Sequence, residues 1–276
     1  MKRILLIAIA AAVLLSAGAA DLTITIDCRS AQRVKHFPGV HIFSPDDEVY
    51  STATAEVYWP ERIGANDLGN LQQTLIEKAF GIKGSRDLAA ALKRHTAWEA
   101  SVPDGSGKGV EVPTDTDIDA AIVFTNNVRA SILEFDSSLI TWQLDYETYE
   151  GGAHGLNSVD YVNYDVEHNR VITLTDLFPA GKRAALTKAI KAKLYADFDV
   201  STDAQAEEAG LMAGQIEAPD CFYIEDGVLT FVFNPYTIAP YALGIIEVEM
   251  PGEALAPLAS DYAAGLLLLP EPDEQQ

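Results

Sequence analysis

The stretch Leu139–Asp165, LITWQLDYETYEGGAHGLNSVDYVNYD, decides the fold. Its first eleven residues alternate. Ile140, Trp142, Leu144 and Tyr146 share one face, and Thr141, Gln143, Asp145 and Glu147 the other. Period two is the signature of a strand with one buried side. A second strand is expected over Val159–Val166. Between them stand Gly151, Gly152, Ala153, His154 and Gly155, a connection too short for a crossover. Two strands joined this closely pair antiparallel.

Strand signals recur on both sides. Upstream, Asp21–Asp27 places Leu22, Ile24 and Ile26 on one face, and Val49–Trp59 is rich in Thr, Val and Tyr until Pro60 ends it. A helix follows, with Asn66 or Asp67 as cap and Leu68, Leu71, Leu75, Ile76, Ala79 and Phe80 at helical spacing. Ser85 caps a second helix carrying Leu88 and Leu92. Downstream, a short strand is expected at Val171–Leu174, and a helix at Arg183–Phe198 through Leu186, Ile190 and Leu194. A weaker helix is expected near Ala204–Met212. Strands follow at Phe222–Ile224, Val228–Phe233 and Ile245–Met250, with Asp226-Gly227 as a hairpin turn. Strands interrupted by helices, with short links between strands, give an α+β fold: an antiparallel sheet with helices packed on one face. That sheet is expected to contain 139–149, 159–166, 228–233 and 245–250.

The ends speak to compartment. Lys2 and Arg3 precede the apolar run Ile4–Leu15, and small residues Ala17–Ala20 follow, the pattern of a cleaved leader. Residues 1–20 are read as a signal peptide, which makes the remainder a periplasmic or secreted protein without a transmembrane helix. The rest divides into an N-terminal αβ module (21–110), a C-terminal α+β domain (111–258) and a flexible acidic tail (259–276). The loop Ser101–Asp117, SVPDGSGKGVEVPTDTD, either marks the division or is a long loop inside a single α+β unit. The formal charge is −22, and loss of Lys2 and Arg3 brings the exported chain near −24. Such a balance disfavours nucleic acid and anionic membranes and suits a basic partner. Cys28 and Cys221 are the only cysteines, and an even count in an exported chain invites a disulfide between them.

Chemistry-bearing motifs are sparse. The five histidines form no HxH or HExxH pattern. Asp115, Asp117 and Asp119 begin like a calcium loop, but Ala120 and Asn126 stand where glycine and glutamate belong. No nucleophile elbow, phosphate loop or cofactor motif occurs, so no cofactor is expected. His154 sits among glycines that permit close backbone approach, which favours an imidazole bonded to backbone over one doing catalysis.

Three separated motifs carry a family resemblance: YEGGAHGLNSVDYVNYD (149–165), RVITLTDLFPAG (170–181) and CFYIEDGVLTFVFNPYTIAPYALGIIEVEMP (221–251). They resemble the uncharacterised domain that forms the extracellular C-terminal part of the lysozyme-responsive anti-sigma factor and that accompanies some peptidoglycan deacetylases. The resemblance spans about Ile118–Ala256. VYWPERIGANDLGNLQQTLIEKAF (57–80) is similar, more loosely, to the module that usually precedes it. The chain departs from those members in showing neither a membrane helix after a sigma-binding segment nor a deacetylase metal set. The resemblance implies a non-catalytic envelope protein that recognises a wall component such as peptidoglycan fragments, or a basic wall-degrading enzyme such as lysozyme. The competing expectation is an envelope hydrolase using His154 with an acid. The residues singled out are Gly152, His154, Gly155, Asp165, Tyr236 and Tyr241. Asp165 is expected to accept backbone N–H bonds in the following turn. The two tyrosines are expected in the core.

Overall fold

The computed structural model describes residues 8–14, 23–102 and 108–270. The chain forms two compact units: Met1–Ile132 with Gln143–Val159, and Leu133–Trp142 with Asp160–Gln276. The division therefore falls inside three long strands rather than in the loop at 101–117. Those strands are β5 (Ile122–Phe135), β6 (Leu139–Tyr149) and β7 (Leu156–Asp165). The remaining strands of this sheet are β1 (Ala8–Leu14), β2 (Thr23–His36), β3 (Val49–Ile63), β4 (Val110–Val112) and β8 (Arg170–Val171). Their hydrogen-bonded order is β1-β2-β3-β5-β6-β7-β8, with β4 on β2.

In the first unit β2 and β3 pair antiparallel from Ile24↔Ile63 to His36↔Tyr50. Pro60 does not end β3. It faces Ile26 where the register shifts between Thr25 and Ile26, and a bulge is one of the few sheet positions that tolerates a residue without an N–H. The sheet is not wholly antiparallel, because β3 and β5 run parallel from Val49↔Ile122 to Val57↔Ala130. The connection between them carries α1 (Gly69–Phe80) and α2 (Leu88–His95), as a parallel pair requires. α1 buries Leu71, Leu75, Ile76 and Ala79 and ends at Gly81, whose φ of 65° closes it. Asp87, not Ser85, caps α2 by accepting the Ala90 N–H at 2.9 Å.

The second unit holds a separate three-stranded sheet, β9 (Phe222–Glu225), β10 (Val228–Phe233) and β11 (Ile246–Glu249), in the order β11-β10-β9. The expectation that 228–233 and 245–250 would join the sheet of β6 and β7 is thus corrected. Asp226 and Gly227, both left-handed, make the β9–β10 turn. The expected strand at 171–174 is only Arg170–Val171. Leu174–Leu177 is instead the short helix α3, whose Asp176 accepts the Thr173 N–H at 2.7 Å. Helix α4 (Arg183–Asp197) buries Leu186, Ile190, Leu194 and Tyr195 in a core with Leu177, Phe178, Phe222 and Phe231. Helix α5 (Asp203–Glu208) follows. Residues 259–270 are not a frayed tail: after α6 (Gly252–Leu255), α7 (Asp261–Leu266) buries Ala263, and the Leu268 N–H donates to the Gly227 carbonyl at 2.8 Å.

One buried amide ties the strands of this unit together. Asn163 of β7 accepts from the Thr141 hydroxyl at 3.0 Å and from the Ile224 N–H at 3.1 Å, and donates to the Phe222 carbonyl at 3.0 Å. Both Thr141 and Asn163 are buried. Replacing Asn163 by Ala leaves the Phe222 carbonyl and Ile224 N–H without it in a dry interior. Chemical unfolding should show a loss of about 2–4 kcal/mol.

Cys28 and Cys221 form no disulfide. Cys28 lies mid-strand in β2 opposite Tyr58, in the first unit, and Cys221 precedes β9 in the second. An even count carries no information about proximity, which is why the expected bridge fails. Thiol titration of the unfolded, unreduced chain should find two reactive thiols; a count of zero overturns the assignment.

Candidate functional site

The second unit contains a cleft of about 400 Å³ whose lining includes Glu134, Asp136, Asp165, Glu167, Asp226 and Asp261. His168, Tyr262, Leu139 and Leu266 complete its walls with Ser138, Gly227 and Gly265. No lysine or arginine lines it. Asp136 is held in place by a tight turn, its Oδ1 accepting the Ser138 and Leu139 N–H groups.

Asp165 is the organiser. It ends β7 and is 2% exposed. Its Oδ1 accepts the His168 N–H at 2.8 Å, as the turn-forming aspartate was expected to do. Its Oδ2 accepts from the Tyr262 hydroxyl at 2.6 Å and from His168 Nδ1 at 2.7 Å. Burial alone would raise this carboxyl. The donors from Tyr262 and His168 outweigh it and hold Asp165 below the usual carboxylate range. An ionised Asp165 can only accept, so the imidazole bond is donated by Nδ1–H and Nε2 is left to face away from the carboxylate. The His168 side chain is 58% exposed and stands edge-on to Tyr262, with centroids 5.8 Å apart. Arg170 stacks on Tyr262 with its Cζ 3.9 Å from the ring centroid and reaches Asp176 at 3.3 Å. Burial, then the bond to Asp165, raises the Tyr262 hydroxyl, keeping it a donor.

The other residues singled out by sequence lie elsewhere. Gly152, His154 and Gly155 form the β6–β7 turn, in the first unit. Gly151 and Gly152 have φ of 91° and 102°, and a Cβ on Gly155 would meet the Thr148 carbonyl at 2.8 Å, so the glycines serve the turn. His154 is exposed, and its Nδ1 lies 2.8 Å from the Gly155 carbonyl. Tyr236 and Tyr241 are not core residues. Tyr236 is 53% exposed and the two rings stack at 6.0 Å, while Ile238 and Ala239 between them are buried. Tyr236 sits at φ 69°, which turns its side chain outward and leaves the inward positions to Ile238 and Ala239. Neither tyrosine lines the cleft. Sequence reading missed His168 and Tyr262. The turn after Asp165 is legible in the sequence, but Tyr262 is 97 residues away and gives no local signal.

The Asp165 network makes stability pH-dependent in a definite direction. Because the folded carboxyl lies below its unfolded value of about 3.9, its contribution is fully present above about pH 4. It is lost as pH falls through the folded value. Asp165→Asn should therefore unfold more easily at pH 7, by about 2 kcal/mol or more. Its stability should also fall less steeply below pH 4, as read from urea unfolding across pH 2–7.

Residues 175–253, from α3 to the start of α6, match a family described as "Protein of unknown function (DUF3298)". A solved member of that family from Bacteroides fragilis is 24% identical, with a TM-score of 0.65, covering 87% of this chain and 96% of its own. A DUF3298 family protein from Pseudomonas aeruginosa is 17% identical, with a TM-score of 0.55, covering 89% of this chain and 97% of its own. Both likenesses bear on the fold alone. No curated protein matches the chain. Of the cleft residues, Asp226 and Gly227 lie inside the matched segment. Residues 175–253 thus match the DUF3298 family, within a fold similar to that of solved proteins of that family.

Proposed function

We propose that this is an exported, non-catalytic binding protein of the cell envelope, and that its acidic cleft takes a cationic group. That group is presented by a wall component or by a basic wall-degrading enzyme such as lysozyme. The observation that carries the reading is the cleft: six carboxylate residues and no lysine or arginine in its lining, in a chain of formal charge −22. A single-sign concave surface concentrates and steers partners of opposite charge, and the effect weakens with salt. The leader pattern at residues 1–20 supports export; it lies largely outside the described residues.

A second reading, an envelope hydrolase, is favoured by one observation. The histidine concerned is His168 rather than His154. A buried carboxylate fixes the His168 tautomer at 2.7 Å beside the cleft, the arrangement that orients a general base. His154 bonds within its own turn, its Nδ1 2.8 Å from the Gly155 carbonyl, and does not line the cleft.

One experiment separates the two. Lysozyme and purified peptidoglycan fragments are offered to the protein at low and high salt, and turnover of the fragments is followed in parallel. Binding is expected at low salt, lost at high salt, and without turnover. Neutralising Glu134, Asp136 and Asp261 together, as Glu134→Gln, Asp136→Asn and Asp261→Asn, should weaken it roughly tenfold, about 1.4 kcal/mol. Retention of neither ligand overturns the named partners. Turnover abolished by His168→Ala, with the fold intact, moves the assignment to the hydrolase.

A further inference from the structure

The edge of the large sheet at β2 is occupied in two places. Ala8–Leu14 pairs antiparallel with Thr23–Arg29, from Leu14↔Thr23 to Ala8↔Arg29. Val110–Val112 pairs with Val34–His36 on the same side, because β3 takes the other side along nearly the whole strand. Ser30–Arg33 lie between these two partners, with no strand paired to that side among the described residues. The first occupant, Ala8–Leu14, falls within the segment whose composition is that of a cleaved leader. Its removal opens Thr23–Arg33, eleven residues of backbone donors and acceptors. An edge of that length is a template for another strand.

The open edge has a centre, and the centre is Cys28. A second copy of the same edge, related by a two-fold axis through Cys28, pairs Thr23 with Arg33 and Ile24 with Gln32. It also sets Asp27 opposite Arg29, and Arg29 opposite Asp27. This register uses the whole opening and stops where β4 begins. It also places two opposite-charge pairs directly across the seam, where like charges would repel. Asp27 and Arg29 already share a face of β2, with their side chains 2.8 Å apart. Other registers leave part of the opening unpaired or set these charges against neutral residues.

We infer that the exported chain dimerises through β2, Thr23–Arg33 pairing antiparallel with the same segment of a second copy about a two-fold axis at Cys28. The contact is isologous, so it closes at two chains and does not propagate into a fibre. It joins the large sheets of two copies edge to edge through β2. The inference rests on the export reading above, since a retained leader keeps the edge covered.

The test uses the chain expressed with its leader in an exporting host, its N-terminus read by mass spectrometry and its mass by light scattering. A cleaved chain of twice the monomer mass is expected. In the Cys221→Ser background, a short bismaleimide should join two copies through Cys28. Asp27→Arg alone and Arg29→Asp alone each set like charges across the seam and should be monomers of unchanged circular dichroism. An equal mixture of the two restores both opposite-charge pairs and should be dimeric. A cleaved chain that is monomeric overturns the inference and leaves the binding reading standing. So do single variants that dimerise as well as the parent. A chain recovered with residues 1–20 intact overturns the export reading and this inference together. Should either variant fold poorly, the Cys28 cross-link decides alone, and its absence in the cleaved dimer overturns the register.

Discussion

The carboxamide of Asn163 is the constraint on which the second unit depends. It lies on β7 in a dry interior, where each polar atom must find a partner. The partners come from β6, through the Thr141 hydroxyl, and from β9, through the Phe222 carbonyl and the Ile224 N–H. A leucine at 163 would fill the space without choosing between neighbouring registers. A carboxamide accepts only one arrangement of the second sheet's first strand. Register matters there because Phe222 and Ile224 must both face the core that α4 completes.

From that fixed point the cleft follows. Asn163, Tyr164 and Asp165 occupy consecutive positions and do three different jobs. Asn163 holds β9, the Tyr164 hydroxyl donates to Asn169 at 2.8 Å, and Asp165 receives His168 and Tyr262. The alternation of a strand would send Asp165 to the same face as Asn163. At the strand's end, however, the chain turns, and the carboxylate is met by donors rather than by hydrocarbon. Tyr262 reaches it because α7 and the residues after it return across the β9–β10 turn. Helix α7 is thus part of the cleft wall, tied to Asp165 by the Tyr262 hydroxyl.

The first unit shows a different economy of structure. Its sheet accepts a proline and a parallel pair because a bulge and a helical crossover provide for each. His95 of α2 donates between the Thr54 and Asn126 carbonyls, at 3.0 and 2.9 Å, stitching the helix to β3 and β5. Burial is the main reason its pKa is depressed. On the loop before β3, Asp47 accepts the Ile42, Phe43 and Ser44 N–H groups. Bonds from Phe43 and Ser44 are the chief cause of its lowered pKa.

The amino-acid sequence by itself determined the elements whose burial pattern is local. β6 spans 139–149 as its alternation requires, α1 buries the leucines at helical spacing, and Asp226-Gly227 turns a hairpin because few other dipeptides tolerate two left-handed residues. Only the tertiary structure decided matters that rest on partners far along the chain. That β10 and β11 pair with β9 in their own sheet rather than joining β6 is one of them. Whether Tyr236 and Tyr241 point inward depends on a backbone turn that gives the inward places to Ile238 and Ala239. Proline ends a strand by propensity, yet Pro60 sits within one because its partner strand shifts register there. The cleft is the clearest case. Acids scattered from Glu134 to Asp261 carry no periodic signal, because electrostatic neighbours need only proximity in space, whereas helices and strands are written in the spacing of residues along the chain.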